Sequence, residues 1–293
     1  MPNLYKIVTK SEDTLQRIDL GETMSIFYHN IFDFPLTISD LIKWKMATPF
    51  LDNTNYAIKQ KNGFFFLEGS EGIIYKRTLR NRISERKMKV AKKAGRILSL
   101  IPFVKMVAVT GSLAMQNANP TSDIDLMIVT SKNSLWVTRL LSYLILRLAN
   151  ISVRKFGEKD ETDKLCLNIW LDENDLFWKN RNVYTAHEIA QIIPLVNKSK
   201  TYEKFLLENK WILNFWPNSV KIRNHELRIK QGRNVASYVI LNALFLSIEK
   251  FAFWIQKKYM RSKITSELIT PTRALFHPQD WSKVVLDRLG IDL

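Results

Sequence analysis

Val107-Ala-Val-Thr-Gly-Ser-Leu-Ala114, followed by Asn119-Pro-Thr-Ser-Asp-Ile-Asp-Leu-Met-Ile-Val129, is the stretch on which the reading of this chain turns. Val104 to Val109 and Ile124 to Val129 are short apolar runs rich in β-branched residues, each bounded by turn formers, and are predicted to be strands. Between them, Gly111 supplies a residue without a Cβ, so the backbone can turn tightly; the amides and hydroxyl around Ser112 can then face a phosphate. Side chains alternate along a strand, so Asp123 and Asp125 project to one side while Ile124 and Leu126 point into a core. Two carboxylates that close repel unless a cation lies between them, and Mg²⁺ with substrate phosphates suits all-oxygen ligands.

This segment resembles the signature of the DNA polymerase beta-like nucleotidyltransferase superfamily, a Gly-Ser turn followed about ten residues on by Asp-x-Asp. The resemblance covers Val104 to Asp172. It implies that Gly111 and Ser112 bind the triphosphate, that Asp123 and Asp125 hold two Mg²⁺ ions, and that an acceptor hydroxyl attacks the α-phosphate of a nucleoside triphosphate, ATP or CTP, releasing pyrophosphate. The family usually takes a third carboxylate from a neighbouring strand. Here that strand is predicted at Leu165 to Leu171, and its centre carries Asn168, an amide in place of an acid. Asp172, on the strand parity of Asn168, and Asp163, on the opposite parity, are the alternative acids.

Working outward, Lys76 to Arg96 reads as a helix with apolar positions Ile83, Val90, Ala94 and Ile97. Ten cations against the single acid Glu85 are too one-sided for salt-bridge lacing. Arg80, Arg82, Arg86, Lys89 and Lys93 are therefore candidate nucleic-acid contacts. The whole chain has 44 Lys plus Arg against 28 Asp plus Glu, a formal net charge of +16, which favours polyanionic partners, RNA among them.

Nearer the N-terminus, Met24, Phe27, Tyr28 and Ile31 recur at helical spacing, Thr37 is placed to cap a helix Ile38 to Lys45, and Lys61-Asn62-Gly63 marks a hairpin inside Tyr56 to Leu67. Helices followed by a hairpin resemble a winged helix. Beyond Asp175 the pattern becomes helical, with Ala186 to Ile193, Tyr202 to Asn209 and Val235 to Lys258 as its clearest segments. Val235 to Ile248 is too short to span a bilayer and reads as a buried helix. The expected architecture is α+β: a winged-helix-like unit over 1–75, a basic helix and nucleotidyltransferase core with a mixed sheet over 76–174, and a helical region over 175–293.

Cys166 is the only cysteine, which excludes an internal disulfide and a multi-thiolate zinc site; in its apolar strand it reads as core filling. His29, His187, His225 and His277 show no ligand spacing and read as structural, and Trp170, Trp178, Trp211, Trp216 and Trp254 read mainly as helix core. The first residues carry charges rather than an apolar run, so no secretory signal is expected. A cytoplasmic protein with no membrane partner is anticipated. The function expected is Mg²⁺-dependent transfer of a nucleoside monophosphate to an RNA 3′ end, possibly that of a tRNA. The alternatives are adenylylation of a small molecule or protein, and a winged-helix nucleic-acid-binding regulator whose nucleotidyltransferase fold is degenerate.

Overall fold

The computed structural model describes residues 18–47, 57–155, 157–222, 236–261, 267–276 and 281–291, with backbone alone over 236–243. His225 and His277 lie outside the described residues. At its centre is a six-stranded mixed sheet of order β6-β3-β4-β5-β8-β7. Its strands are β3 (Val104–Val109), β4 (Ile124–Thr130), β5 (Leu165–Asp172), β6 (Ile193–Asn197), β7 (Leu268–Ile269) and β8 (Arg273–Leu275). Among the described strands only the β4–β5 pair is parallel; the chain crosses between them through helix α5 (Leu135–Leu148).

The alternation predicted for β4 sorts its side chains into two cores. Ile124, Leu126 and Ile128 enter one, with Ala91, Ala94 and Leu98 of α3 (Ile73–Leu98), Trp136 of α5 and Ala252 of α8 (Ala236–Met260). Met127 and Val129 enter the other, with Ala186 and Ile189 of α6 (Val183–Ala190), Phe205 of α7 (Thr201–Glu208) and Leu286 of α9 (Trp281–Leu289). Asp125, two residues before Met127, therefore belongs to the second face.

The N-terminal elements form as their sequence dictates. Helix α1 (Leu20–Asn30) opens with a capping box of Asp19 and Glu22, and α2 (Ile38–Lys43) with one of Thr37 and Asp40. Strands β1 (Ile58–Lys61) and β2 (Phe64–Leu67) close through Asn62 and Gly63, both at positive φ, the backbone of a two-residue hairpin turn. Met24, Tyr28, Trp44 and Met46 join the core that holds Met127. There Tyr28, Trp44 and Trp216 surround the buried pair His29 and His187, whose Nε2 atoms lie 3.1 Å apart. Burial first of all pushes the His29 imidazole down to about 4 and lowers His187, so both stay neutral. These two histidines are structural, as the sequence suggested.

Three local expectations differ from the structure. The region beyond Asp175 contributes strands as well as helices: β6 is an edge strand, where Pro194 is tolerated, and β8 extends the sheet beside β5. On α3 the buried face is Ser84, Lys87, Ala91, Ala94 and Leu98, rotated from the predicted stripe, because Lys87 is fully buried. Its ammonium donates to the carbonyls of Pro120 (3.2 Å) and Ser122 (2.6 Å) and pairs with Asp163 at 2.7 Å. Helix α8, read as buried, leaves Leu244, Ile248, Phe251 and Ile255 exposed. No helix of the described residues is long and apolar enough to cross a membrane.

Candidate active site

The turn after β3 is locked to β4 by the Thr110 amide donating to the Asp125 carbonyl at 3.1 Å. Gly111 follows at φ +60°, a left-handed conformation that glycine adopts freely. A Cβ placed there would lie 2.6 Å from Asp125 Oδ2, so glycine is required both by its own backbone and by the carboxylate pressed against it. Ser112 is exposed in the one-turn helix α4 (Gly111–Ala114), whose N-cap Thr110 makes no side-chain cap bond. Backbone amides at such a turn suit a phosphate oxygen.

The loop that delivers Asp123 is anchored from beneath. Besides the Lys87 contacts, Asn117 donates to the Phe32 carbonyl at 2.9 Å and accepts from Arg80 at 3.2 Å. Arg80 also bonds the Phe32 carbonyl and pairs with Asp33. It is thereby turned inward, contrary to its proposed place among nucleic-acid contacts. Arg82, Arg86, Lys89 and Lys93 do face solvent at i, i+4, i+7 and i+11 on one side of α3, with Arg86 reaching Asp163 at 3.4 Å.

Asp123 and Asp125 converge as the i, i+2 rule requires: one oxygen of each and the Cys166 sulfur all lie within 4.8 Å of one another. Asp123 accepts from Arg154 Nη1 at 2.8 Å, and Arg154 also pairs with Glu161. Asp125 Oδ1 accepts from Asn168 Nδ2 at 2.6 Å. Burial foremost, then the charges of Asp123 and Glu188, push the Asp125 carboxyl up to about 8. Burial and the two aspartates likewise raise the Cys166 thiol, so the sulfur stays protonated and inert. Cys166 is thus a half-buried neighbour of the carboxylates rather than core filling.

Asn168 lies at a bulge of β5. Asp125 pairs with Cys166 but Met127 pairs with Ile169, so two residues of β4 span three of β5. Cys166 and Asn168 face the aspartates, and after the bulge Ile169 and Leu171 occupy that face while Trp170 joins the opposite core. Asp172 consequently loses the parity it shared with Asn168. It caps the turn before α5, accepting from the amides of Asn133 and Asn174. Asp163 is committed to Lys87 and Arg86. Neither acid takes the third position.

A cleft of about 410 Å³ opens on this side of the sheet, lined by Thr110, Met127, Trp178, Tyr184, Glu188 and Trp281 among others. Glu188, on α6, is pushed up to about 7, chiefly by burial. Gln191 Nε2 bonds its Oε1 at 2.7 Å and also reaches the Gly111 carbonyl at 3.4 Å, linking the cleft wall to the glycine turn. Arg154, Cys166 and Glu188 carried no sequence signal. Arg154 arrives by a lone bridge of Val153 with Leu165, and Glu188 by the docking of α6.

The donor set fits a hard cation. Two carboxylates supply oxygens, the neutral thiol is a poor ligand for Mg²⁺, and Asn168 Oδ1 is a buried acceptor with no hydrogen-bond donor facing it. A glycine turn with paired carboxylates on the adjoining strand of a mixed sheet is an arrangement suited to holding a cation and a phosphate side by side. Residues 88–183 match the family model of the nucleotidyltransferase domain. No curated protein matches the chain.

Proposed function

We propose that this protein transfers a nucleoside monophosphate from a nucleoside triphosphate, ATP or CTP, to an acceptor hydroxyl, with Mg²⁺ held by Asp123 and Asp125. The convergence of those two carboxylates beside the Gly111 turn carries the reading. Bound Mg²⁺ would supply charge neutralisation at the phosphates and activation of the attacking hydroxyl. The chain's own residues do the rest. The turn at Gly111 and Ser112 receives phosphate oxygens, Asn168 orients Asp125 through its 2.6 Å hydrogen bond, and Arg154 holds Asp123 while lending positive charge beside the triphosphate. Both aspartates must be ionised for a cation to bind, so loading the site displaces the proton that burial favours on Asp125.

The acceptor we favour is an RNA 3′ end. Arg82, Arg86, Lys89 and Lys93 make an exposed positive stripe, and its middle adjoins the loop that Lys87 ties to Ser122, one residue before Asp123. A small-molecule acceptor is the second reading, supported by the cleft, whose lining among the described residues contains aromatic and aliphatic residues and Glu188 but no lysine or arginine.

The test incubates the purified protein and Mg²⁺ with each radiolabelled triphosphate and a small-RNA pool, with Asp123→Ala/Asp125→Ala as control. Label on RNA from the wild type alone is expected. Labelling that survives in the control overturns the catalytic assignment. Label on a small hydroxyl compound, with none on RNA, transfers the acceptor to the second reading.

A further inference from the structure

Helices α5 and α8 pack against each other and bury one face of each in the core that holds Ile124 and Leu126. Each has a second apolar face directed outward. On α5, Leu141, Leu144 and Leu148 recur at i, i+3 and i+7; on α8, Leu244, Ile248, Phe251 and Ile255 recur at i, i+4, i+7 and i+11. The exposure is large where it matters: Leu148 is 74 % exposed, Leu244 61 % and Phe251 60 %. Trp254 and Tyr259, at 57 % and 69 %, flank the stripe. Water-facing apolar rows of this regularity are unusual on a helix that has already satisfied its core face.

Charge identifies the occupant. Glu249 is the only acid in either helix, and it is buried, accepting from the amides of Trp136 (2.7 Å) and Val137 (2.9 Å) at the start of α5. Every charged side chain that these helices expose is therefore a cation: Arg147, Lys250, Lys257 and Lys258, with Arg261 just beyond α8. Two copies meeting through this face would bring like charges together. A nucleic acid would satisfy the cations and leave the leucines and Phe251 in water. Aliphatic residues bordered by aromatic side chains and cations match the interfacial layer of an anionic bilayer.

We propose that the outer face of α5 and α8 docks on the surface of a membrane containing anionic phospholipid, lying on it rather than crossing it. The stripe from Leu244 to Ile255 runs roughly 16 Å along the helix axis, long enough to seat α8 flat.

The test mixes the full-length protein with vesicles of phosphatidylcholine alone or phosphatidylcholine with phosphatidylserine and measures co-sedimentation. Binding to the phosphatidylserine vesicles at least tenfold above the neutral ones, weakened by 0.5 M salt, is expected. Phe251→Asp/Ile255→Asp should abolish it. Because that variant could perturb folding, wild type and Trp254→Phe are also compared on vesicles with brominated acyl chains, where quenching of fluorescence should shrink when Trp254 is removed. Absence of binding to anionic vesicles overturns the proposal. So does binding unchanged in the double variant, or a dimer in light scattering that the double variant dissociates, which would assign the face to a second copy.

Discussion

Replacing Gly111 with alanine separates two demands that this position meets at once. At φ +60° a side chain costs about 1–2 kcal/mol in backbone strain. At about 2–4 °C per kcal/mol for a protein of this size, that strain lowers Tm by a few degrees. The added Cβ would also sit 2.6 Å from Asp125 Oδ2, where ordinary contact begins near 3.4 Å, so the carboxylate must retreat by several tenths of an ångström. Mg²⁺ tolerates departures of only about 0.2 Å in its ligand distances, so the second demand falls on metal binding rather than folding. Gly63→Ala is the matched control: its φ is +76°, and an added Cβ there meets nothing within 4 Å. Both variants should lose comparable stability in differential scanning fluorimetry without metal. In a Mg²⁺ titration followed by the rise in Tm, and in the labelling assay, only Gly111→Ala should fail, with turnover down roughly 100-fold as expected for a misplaced reacting group. If Gly111→Ala binds Mg²⁺ and turns over as Gly63→Ala does, the close approach of Asp125 to this turn has no part in the site.

Further expectations rest on the charges. The Asp125 carboxyl is raised to about 8, above its unfolded value, so the folded protein binds the extra proton and metal-free stability falls as pH rises through that window; Mg²⁺ affinity should climb with pH and level off above about 8, and a titration flat from pH 6 to 9 would contradict this. Lys87→Met leaves the Pro120 and Ser122 carbonyls without their buried donor and should cost about 2–4 kcal/mol, most of it from those two acceptors because Asp163 is partly exposed; urea unfolding that shows a loss below 1 kcal/mol would refute the anchoring role. Asn168→Asp places a third carboxyl where the amide now donates to Asp125 at 2.6 Å. Metal-free Tm at pH 8 should fall, and the Tm rise produced by Mg²⁺ should exceed that of the wild type; an unchanged Mg²⁺ response would show that the side chain points away from the cation.

Much of this was written locally. The i, i+2 spacing of Asp123 and Asp125 sufficed to place both carboxylates on one face, since alternation along a strand is a property of the backbone itself. Capping residues Asp19 and Thr37 and the Asn62-Gly63 turn were legible for the same reason: each acts on amides within a few residues of itself. The features that escaped depend on distant partners. Lys87 reads as one more cation of a charged helix until the loop at Pro120 to Ser122 supplies its acceptors, and Leu244 and Ile248, within the stretch Val235 to Ile248, read as buried until the packing partner proves to cover only one side. Strands β6 and β8 are too short to show a period and exist because β3 and β5 offer them an edge.

The bulge in β5 shows why the third position could not be settled by counting. Parity along an isolated strand assigns Asn168 and Asp172 to the same face, and on that basis Asp172 remains a candidate acid. Pairing with β4 inserts one extra residue between Cys166 and Ile169, which keeps Asn168 beside Asp125 and sends Asp172 to the α5 side of the sheet, where it caps a turn. The same insertion lets Ile169 and Leu171 join the core that holds Met127 while Cys166 and Asn168 stay beside the two aspartates. One residue of register thus removes Asp172 from the face of Asp125 and leaves the neutral donor Asn168 there. A donor there eases ionisation of Asp125 without adding a third negative charge to a site already strained by two.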